Sequence, residues 1–241
     1  MSQTTITQHP HILTKFDEEL ARVDHYVRYP SLIPFVGVKY EENPKRILIL
    51  GESFYLSDEC NQHKNAESWY NGNENVIKTK DRGWMNCRGL ITYPWNDSSD
   101  EAPKTWKPRG HYMYREINRC LREAKYVDID GNAFVNVAYM NTFQRPSPKA
   151  GDSIAKHCEP VDIEQAVKTI SSVVSIIKPK TVIFASKYSW RTVGKLIADN
   201  YDTESGINFD FTYHPASGGR FWHSKRHKDG CEKFMALIRK E

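Results

Sequence analysis

The apolar run Arg46-Ile47-Leu48-Ile49-Leu50, closed by Gly51-Glu52-Ser53-Phe54-Tyr55, constrains this chain more than any other segment. An apolar run without alternation reads as a strand buried on both faces, the kind found in parallel sheets. A parallel sheet needs long crossover connections, usually helices, and these cover its faces. It also places ligand chemistry just beyond the carboxyl ends of its strands. Gly51 stands at such an end, followed at once by a carboxylate, a hydroxyl and two aromatic rings. A glycine there leaves room for close approach of the chain or a ligand.

The rest of the chain keeps up the alternation. Strand-like segments fall at 133–138, 181–185 and 208–213, and helical spacing at 12–27, 110–125, 159–178, 188–200 and 224–239. The 159–178 segment shows the helical period best, with Ile163, Ala166, Val167, Ile170, Val173, Val174 and Ile177 at helical spacing, and it stops at Lys178-Pro179-Lys180. Pro34-Phe35-Val36-Gly37 reads as a loop packing into the domain. The pattern predicts one α/β domain spanning 1–241, with a parallel sheet covered on both faces. Residues 56–109 fit no element. They are rich in polar residues and aromatics, Trp69, Tyr70, Trp84 and Trp106 among them, and read as an irregular insertion. So long an irregular segment inside a compact domain is often functional.

Composition narrows the classes. A chain of 241 residues with 39% hydrophobic and 12% aromatic content can build one large core. No run approaches the roughly 18–20 apolar residues of a membrane span. Met1-Ser2-Gln3-Thr4-Thr5 lacks the basic and apolar regions of a signal peptide, so the expected location is cytoplasmic, with no membrane partner. Cys60, Cys87, Cys120, Cys158 and Cys231 are odd in number and scattered, which argues against a disulfide framework or a zinc ribbon. Cys60 with His63, and His157 beside Cys158, read as incidental, so no metal and no cofactor is expected. The net charge of +4 permits nucleic-acid binding without requiring it. Basic residues gather near the C-terminus, at Arg220, Lys225, Arg226, Lys228 and Lys233, either as a solvated helix face or as a phosphate-contacting patch.

A second strand-end motif follows the 208–213 segment, His214-Pro215-Ala216-Ser217-Gly218-Gly219. Pro215 biases His214 toward an extended backbone, and an imidazole there can stabilise negative charge developing on a ligand oxygen. Arg220-Phe221-Trp222 offers a cation beside two bulky rings. Such a tip either presses into a duplex groove and unstacks a base step or plugs the base of the last helix. Asn136 interrupts an apolar segment. Its amide both donates and accepts, so it is either a ligand reader or a structural fastener. Phe54 and Tyr55 are either stacking faces for a ring or core residues beneath the long insertion.

Gly51-Glu52-Ser53, the strand carrying Asn136, the Ile176-Ile177-Lys178-Pro179-Lys180 approach to a strand, and His214-Pro215-Ala216-Ser217 occur in the order seen in the uracil-DNA glycosylase superfamily, which this chain resembles over roughly 35–55 and 110–240. The likeness is to the branches whose first motif begins Gly-Glu. It implies a three-layer α/β/α sandwich around a central four-stranded parallel sheet. It also implies a monomer that flips a base of single- or double-stranded DNA into a pocket and cuts its glycosidic bond. On that resemblance Gly51, Phe54, Tyr55 and Asn136 bind the base, and His214 faces the uracil O2. Ser217, Gly218, Arg220, Phe221 and Trp222, with Lys225 and Arg226, contact DNA. Ser53 stands where the best-known branch carries a water-activating aspartate, which leaves either Glu52 for that role or a reaction that relies mainly on leaving-group stabilisation. The cysteine spacing of the iron–sulfur branch is missing.

Two other readings start from the same residues. One is a non-catalytic binder of nucleic acid or nucleotide that keeps the fold. The other is an esterase resembling the SGNH hydrolases, with Ser53 as nucleophile, His214 as base and Asp210 as its orienter. That family's closing motif spaces Asp and His by three residues, whereas Asp210 and His214 are four apart, and its Gly-x-Asn-Asp block is missing.

Overall fold

The computed structural model describes residues 9–95, 106, 111–201, 205–224 and 229–239. At its centre is a five-stranded sheet: β1 (Phe35–Val36), β2 (Ile47–Gly51), β3 (Ala138–Asn141), β4 (Thr181–Phe184) and β5 (Asn208–Phe211), in the spatial order β1-β3-β2-β4-β5. The last four are parallel to one another. The Phe35–Val36 segment is not a loop but a short antiparallel edge on β3, with Phe35 opposite Tyr139. A two-residue strand suffices because Gly37 and Lys39 continue the pairing through hydrogen bonds to the carbonyls of Val137 and Val135.

Every residue of β2 is buried, as an unbroken apolar run requires at the middle of a covered sheet. Its side chains alternate between two cores. Leu48 and Leu50 pack with Ala166, Ile170, Val173 and Ile177 of the helix Pro160–Ile177. Ile47 and Ile49 face the other way, onto Ile117 and Leu121 of the helix Tyr112–Glu123 and Phe234 and Ile238 of the helix Gly230–Arg239. Each large apolar side chain buried this way contributes about 1.5–3 kcal/mol relative to exposure. Among the described residues, no helix is long and apolar enough to cross a membrane.

The helix Pro160–Ile177 matches its sequence pattern to within a residue, and its ends explain why. Glu159 and Asp162 form a reciprocal capping box, Pro160 takes the first helical position, and Lys178 ends it in the left-handed conformation (φ 50°) just before Pro179. Other boundaries move. The 12–27 pattern breaks into two short helices, Asp17–Leu20 and Asp24–Arg28. The helical segment after β4 passes through a π-helical turn at Trp190–Gly194. The expected 133–138 strand is a 3-10 turn, Ala133–Asn136, followed by β3 further along. Asn132 sets that turn, its Oδ1 accepting from the Phe134 amide at 3.1 Å. Turn and strand are equally apolar, so periodicity could not separate them.

The 56–109 segment is more regular than its composition suggests. It holds the helices Ala66–Asn71, Thr79–Met85 and Cys87–Thr92, two of them capped by an asparagine side chain. It is fastened to the sheet through Arg145, which is fully buried and pairs with the fully buried Asp162, Nε–Oδ1 at 2.8 Å and Nη2–Oδ2 at 2.5 Å. Arg145 also donates to the His63 and His157 carbonyls, and Tyr70 donates to Asp162 at 2.9 Å. Removing one partner of a buried pair strands the other charge, at a cost of about 3–5 kcal/mol. Arg145→Ala is therefore expected to lose that much in denaturant unfolding, and a loss below about 1 kcal/mol would show that the pair is not a fastener.

Candidate functional site

Past the carboxyl ends of β2 and β3 lies a cavity of about 420 Å³, lined chiefly by apolar and aromatic side chains. Gly51 makes it possible. It pairs with Asn141 in the β2–β3 register, and a Cβ at Gly51 would collide with the Asn141 carboxamide and the Tyr139 hydroxyl. Those two groups cross in front of the strand end, Tyr139 donating to Asn141 Oδ1 at 2.8 Å. Beyond Gly51, the chain runs beside the segment after β3. The Phe143 amide donates to the Glu52 carbonyl and the Ser147 amide to the Phe54 carbonyl, each at 2.9 Å. This fixes Ser53, Phe54 and Tyr55 along one wall of the cavity. The insertion supplies the opposite wall with Lys80, Asp81 and Trp84, and His111, Met113 and Tyr114 close it.

Three polar atoms in this lining have no hydrogen-bond partner among the described residues. They are the Ser53 hydroxyl and the two nitrogens of the buried His111 ring, and beside them the Asn141 side chain is held through its Oδ1, which accepts from Tyr139. Burial, aided by Arg115, lowers the His111 pKa, so the ring is held neutral. Phe54 is buried against the core, whereas Tyr55 and Trp84 remain 43% and 45% exposed at the rim. An apolar slot with a few convergent, unsatisfied polar groups is the usual form of a small-molecule site.

Glu52 points away from the cavity, toward the ends of β4 and β5. Its two oxygens accept from Ser153 Oγ at 2.5 Å and Ser186 Oγ at 2.6 Å. His214, just past β5, senses the same carboxylate. Burial lowers its pKa, and Glu52 pulls it part of the way back. Nδ1 of His214 accepts from the Ala216 amide at 3.2 Å, which assigns the ring proton to Nε2. The loop is shaped for this: Ser217 donates to the His214 carbonyl from both Oγ (2.6 Å) and its amide (2.9 Å), and Gly218 takes φ 51°. Strand ends thus bring Glu52, Ser53, Asn141 and His214 to one edge of the sheet.

Asn136 is placed elsewhere. It lies ahead of β3, at the opposite end of that strand from Gly51. Its Nδ2 donates to the Val127 and Ala133 carbonyls, and its own carbonyl accepts from Asn43. It is the fastener of the two alternatives, and the residue at the ligand end of the strand is Asn141, which sequence reasoning missed. The signal was present: Val137-Ala138-Tyr139-Met140 is a second unbroken apolar run closed by a polar residue, as at β2. Trp222 is fully buried and its Nε1 donates to Glu116 at 3.0 Å, so it plugs the base of the last helix and is no groove wedge. Phe221 stacks on Tyr213 with centroids 5.4 Å apart, and the exposed Arg220 lies over Phe221. Lys225 and Arg226 lie outside the described residues. Lys233 is engaged by Asp210 at 2.9 Å. Asp210 also accepts from the Phe211 amide, and no hydrogen bond joins it or Ser53 to His214 among the described residues.

The lowered His214 pKa has a sign that can be checked. The folded state disfavours the charged ring, so this group's contribution to stability is present above about 6.5 and lost as pH falls toward the folded-state pKa. In an NMR titration His214 is expected to show a midpoint below about 6.5, and Glu52→Gln should lower it further by removing the opposing charge. A midpoint raised by that substitution would contradict the pairing. Comparison of the chain with protein-family models, curated proteins and solved structures finds no match.

Proposed function

We propose that this protein is a DNA glycosylase-like hydrolase that takes uracil or another damaged base into the cavity beyond β2 and β3. The observation that carries this reading is the meeting, in one slot, of aromatic faces with the Asn141 carboxamide and the unpartnered Ser53 hydroxyl and His111 ring. A planar heterocycle stacks on such faces, and a carbonyl on its edge accepts from Nδ2. His111 and the Ser53 hydroxyl add polar contacts on the same walls. The four parallel strands between helices, with motifs at the ends of the first and last, support the reading further.

In this mechanism the C–N bond to the sugar breaks and its electron pair leaves with the base. His214 donates from Nε2 to the base oxygen on which negative charge develops. Glu52, held by Ser153 and Ser186 outside the slot, would act on a nucleotide whose base sits in the slot and whose sugar reaches toward the β4 and β5 ends, supplying negative charge there and accepting a proton from the attacking water. Extruding a base costs a few kcal/mol, least for a mismatched or single-stranded one. Arg220 and the neighbouring lysines would offset part of it through phosphate contacts.

The test is excision from labelled single- and double-stranded oligonucleotides carrying uracil, hypoxanthine or xanthine. His214→Ala is expected to slow cleavage on the order of 10²–10³-fold, the usual cost of a lost oxyanion donor. Asn141→Ala should abolish base recognition, whereas Asn136→Ala should lower stability and leave recognition in place. Undiminished cleavage by a folded His214→Ala protein would remove the assignment. Salt-sensitive oligonucleotide binding without cleavage would identify the non-catalytic binder instead.

A further inference from the structure

Cys120 and Cys231 are 111 residues apart in sequence, yet their sulfurs lie 3.3 Å apart. Cys120 comes from the helix Tyr112–Glu123 and Cys231 from the first turn of the helix Gly230–Arg239. The Arg119 guanidinium reaches both, at 3.1 Å from Cys231 Sγ and 3.6 Å from Cys120 Sγ. Around the pair, Glu116 accepts from Arg119, Trp222 and His223, and Asp229 accepts from the Cys231 amide at 2.8 Å. A hydrogen bond from Cys120 and the guanidinium both draw the Cys231 thiol toward the thiolate, against burial, and the same bond and burial push Cys120 up. The guanidinium lies closer to Cys231 than to Cys120, so its charge favours the thiolate at Cys231 over its neighbour.

We propose that Cys120 and Cys231 form a peroxide-oxidisable thiol pair, with Cys231 as the attacking sulfur and Cys120 as the resolving one. The Cys231 thiolate attacks one oxygen of a hydroperoxide. The O–O bond breaks, leaving a sulfenic acid on Cys231, and the departing oxygen leaves as water or an alcohol after taking up a proton. The Cys120 sulfur then attacks the sulfenic sulfur, its proton goes to the departing hydroxyl, and a second water leaves as the disulfide forms. Two thiols are oxidised and one hydroperoxide is reduced. Access is across a thin cover: Cys231 is 8% exposed, and the overlying Arg119 and neighbouring His223 side chains are 37% and 42% exposed.

The same neighbourhood holds His223, Asp229 and Cys231 with ligand atoms within 4.8 Å of one another. Arg119 sets a fixed positive charge against that sulfur, which favours an anion partner over a cation. The disulfide would tie the last helix to the helix Tyr112–Glu123. Gly230 is bonded to the Phe221 carbonyl and, through its own carbonyl, to Thr212, so the tie would also stiffen the segment that carries His214.

The experiment treats the reduced full-length protein with a small excess of hydrogen peroxide, then alkylates free thiols and maps peptides. The half-buried Cys60 and Cys158 serve as internal references. The expected product is a Cys120–Cys231 disulfide formed before either reference thiol reacts. Cys120→Ser should leave a Cys231 sulfenic acid that dimedone traps, and Arg119→Gln should slow the first step roughly tenfold. The proposal is overturned if Cys60 or Cys158 reacts first while both paired thiols remain alkylatable. It is equally overturned if the chelator-stripped protein takes up one zinc ion that shields both thiols.

Discussion

The buried guanidinium of Arg145 is the constraint on which the site depends. It is held by Asp162 on one side and by the His63 and His157 carbonyls on the other, so it joins the insertion, the segment after β3 and the helix Pro160–Ile177 at one point. A fully buried cation must have such partners, because leaving it unpaired costs more than the pair itself gains. The arrangement consequently specifies position. It sets the insertion against the strand ends, and the insertion forms half of the cavity wall. Tyr29 and Trp69 reinforce it, stacked with centroids 4.3 Å apart, with Trp69 Nε1 donating to the Gln144 carbonyl at 3.2 Å.

Within that frame, the smallest residue does the shaping. Gly51 leaves space for the Asn141 amide to cross the end of β2, and Tyr139 holds that amide through its Oδ1. The cavity and the Glu52–His214 cluster then diverge from adjacent residues of one chain turn, Glu52 facing the β4 and β5 ends and Ser53 facing the slot. The slot and the Glu52–His214 cluster are thus separated by the alternation of side chains past a strand end.

What the sequence disclosed follows from the range of the forces involved. The β2 run, the capped helix Pro160–Ile177 and the His214 turn are local, and local patterns recorded them. Apolar composition does not distinguish a 3-10 turn from a strand, and with the strand a few residues further along it is Asn141, not Asn136, that stands at the carboxyl end of β3. Arg145 and Asp162 become partners only through the fold, and the closeness of Cys120 to Cys231 depends on two helices meeting across the sheet face. None of these pairings has a signature along the chain. The insertion resisted reading for a related reason: its helices are six or seven residues long, too short to show a period, and are held by asparagine caps and tertiary packing.

The central claim is that the slot beyond β2 and β3 reads a heterocyclic edge through Asn141. The most direct measurement is an NMR titration of the protein with deoxyuridine-containing oligonucleotide, following the Asn141 side-chain amide and the His111 and His214 rings. The account predicts a saturable shift of the Asn141 Nδ2 protons together with both rings. A titration that saturates while those resonances stay in place would put the ligand elsewhere and contradict it.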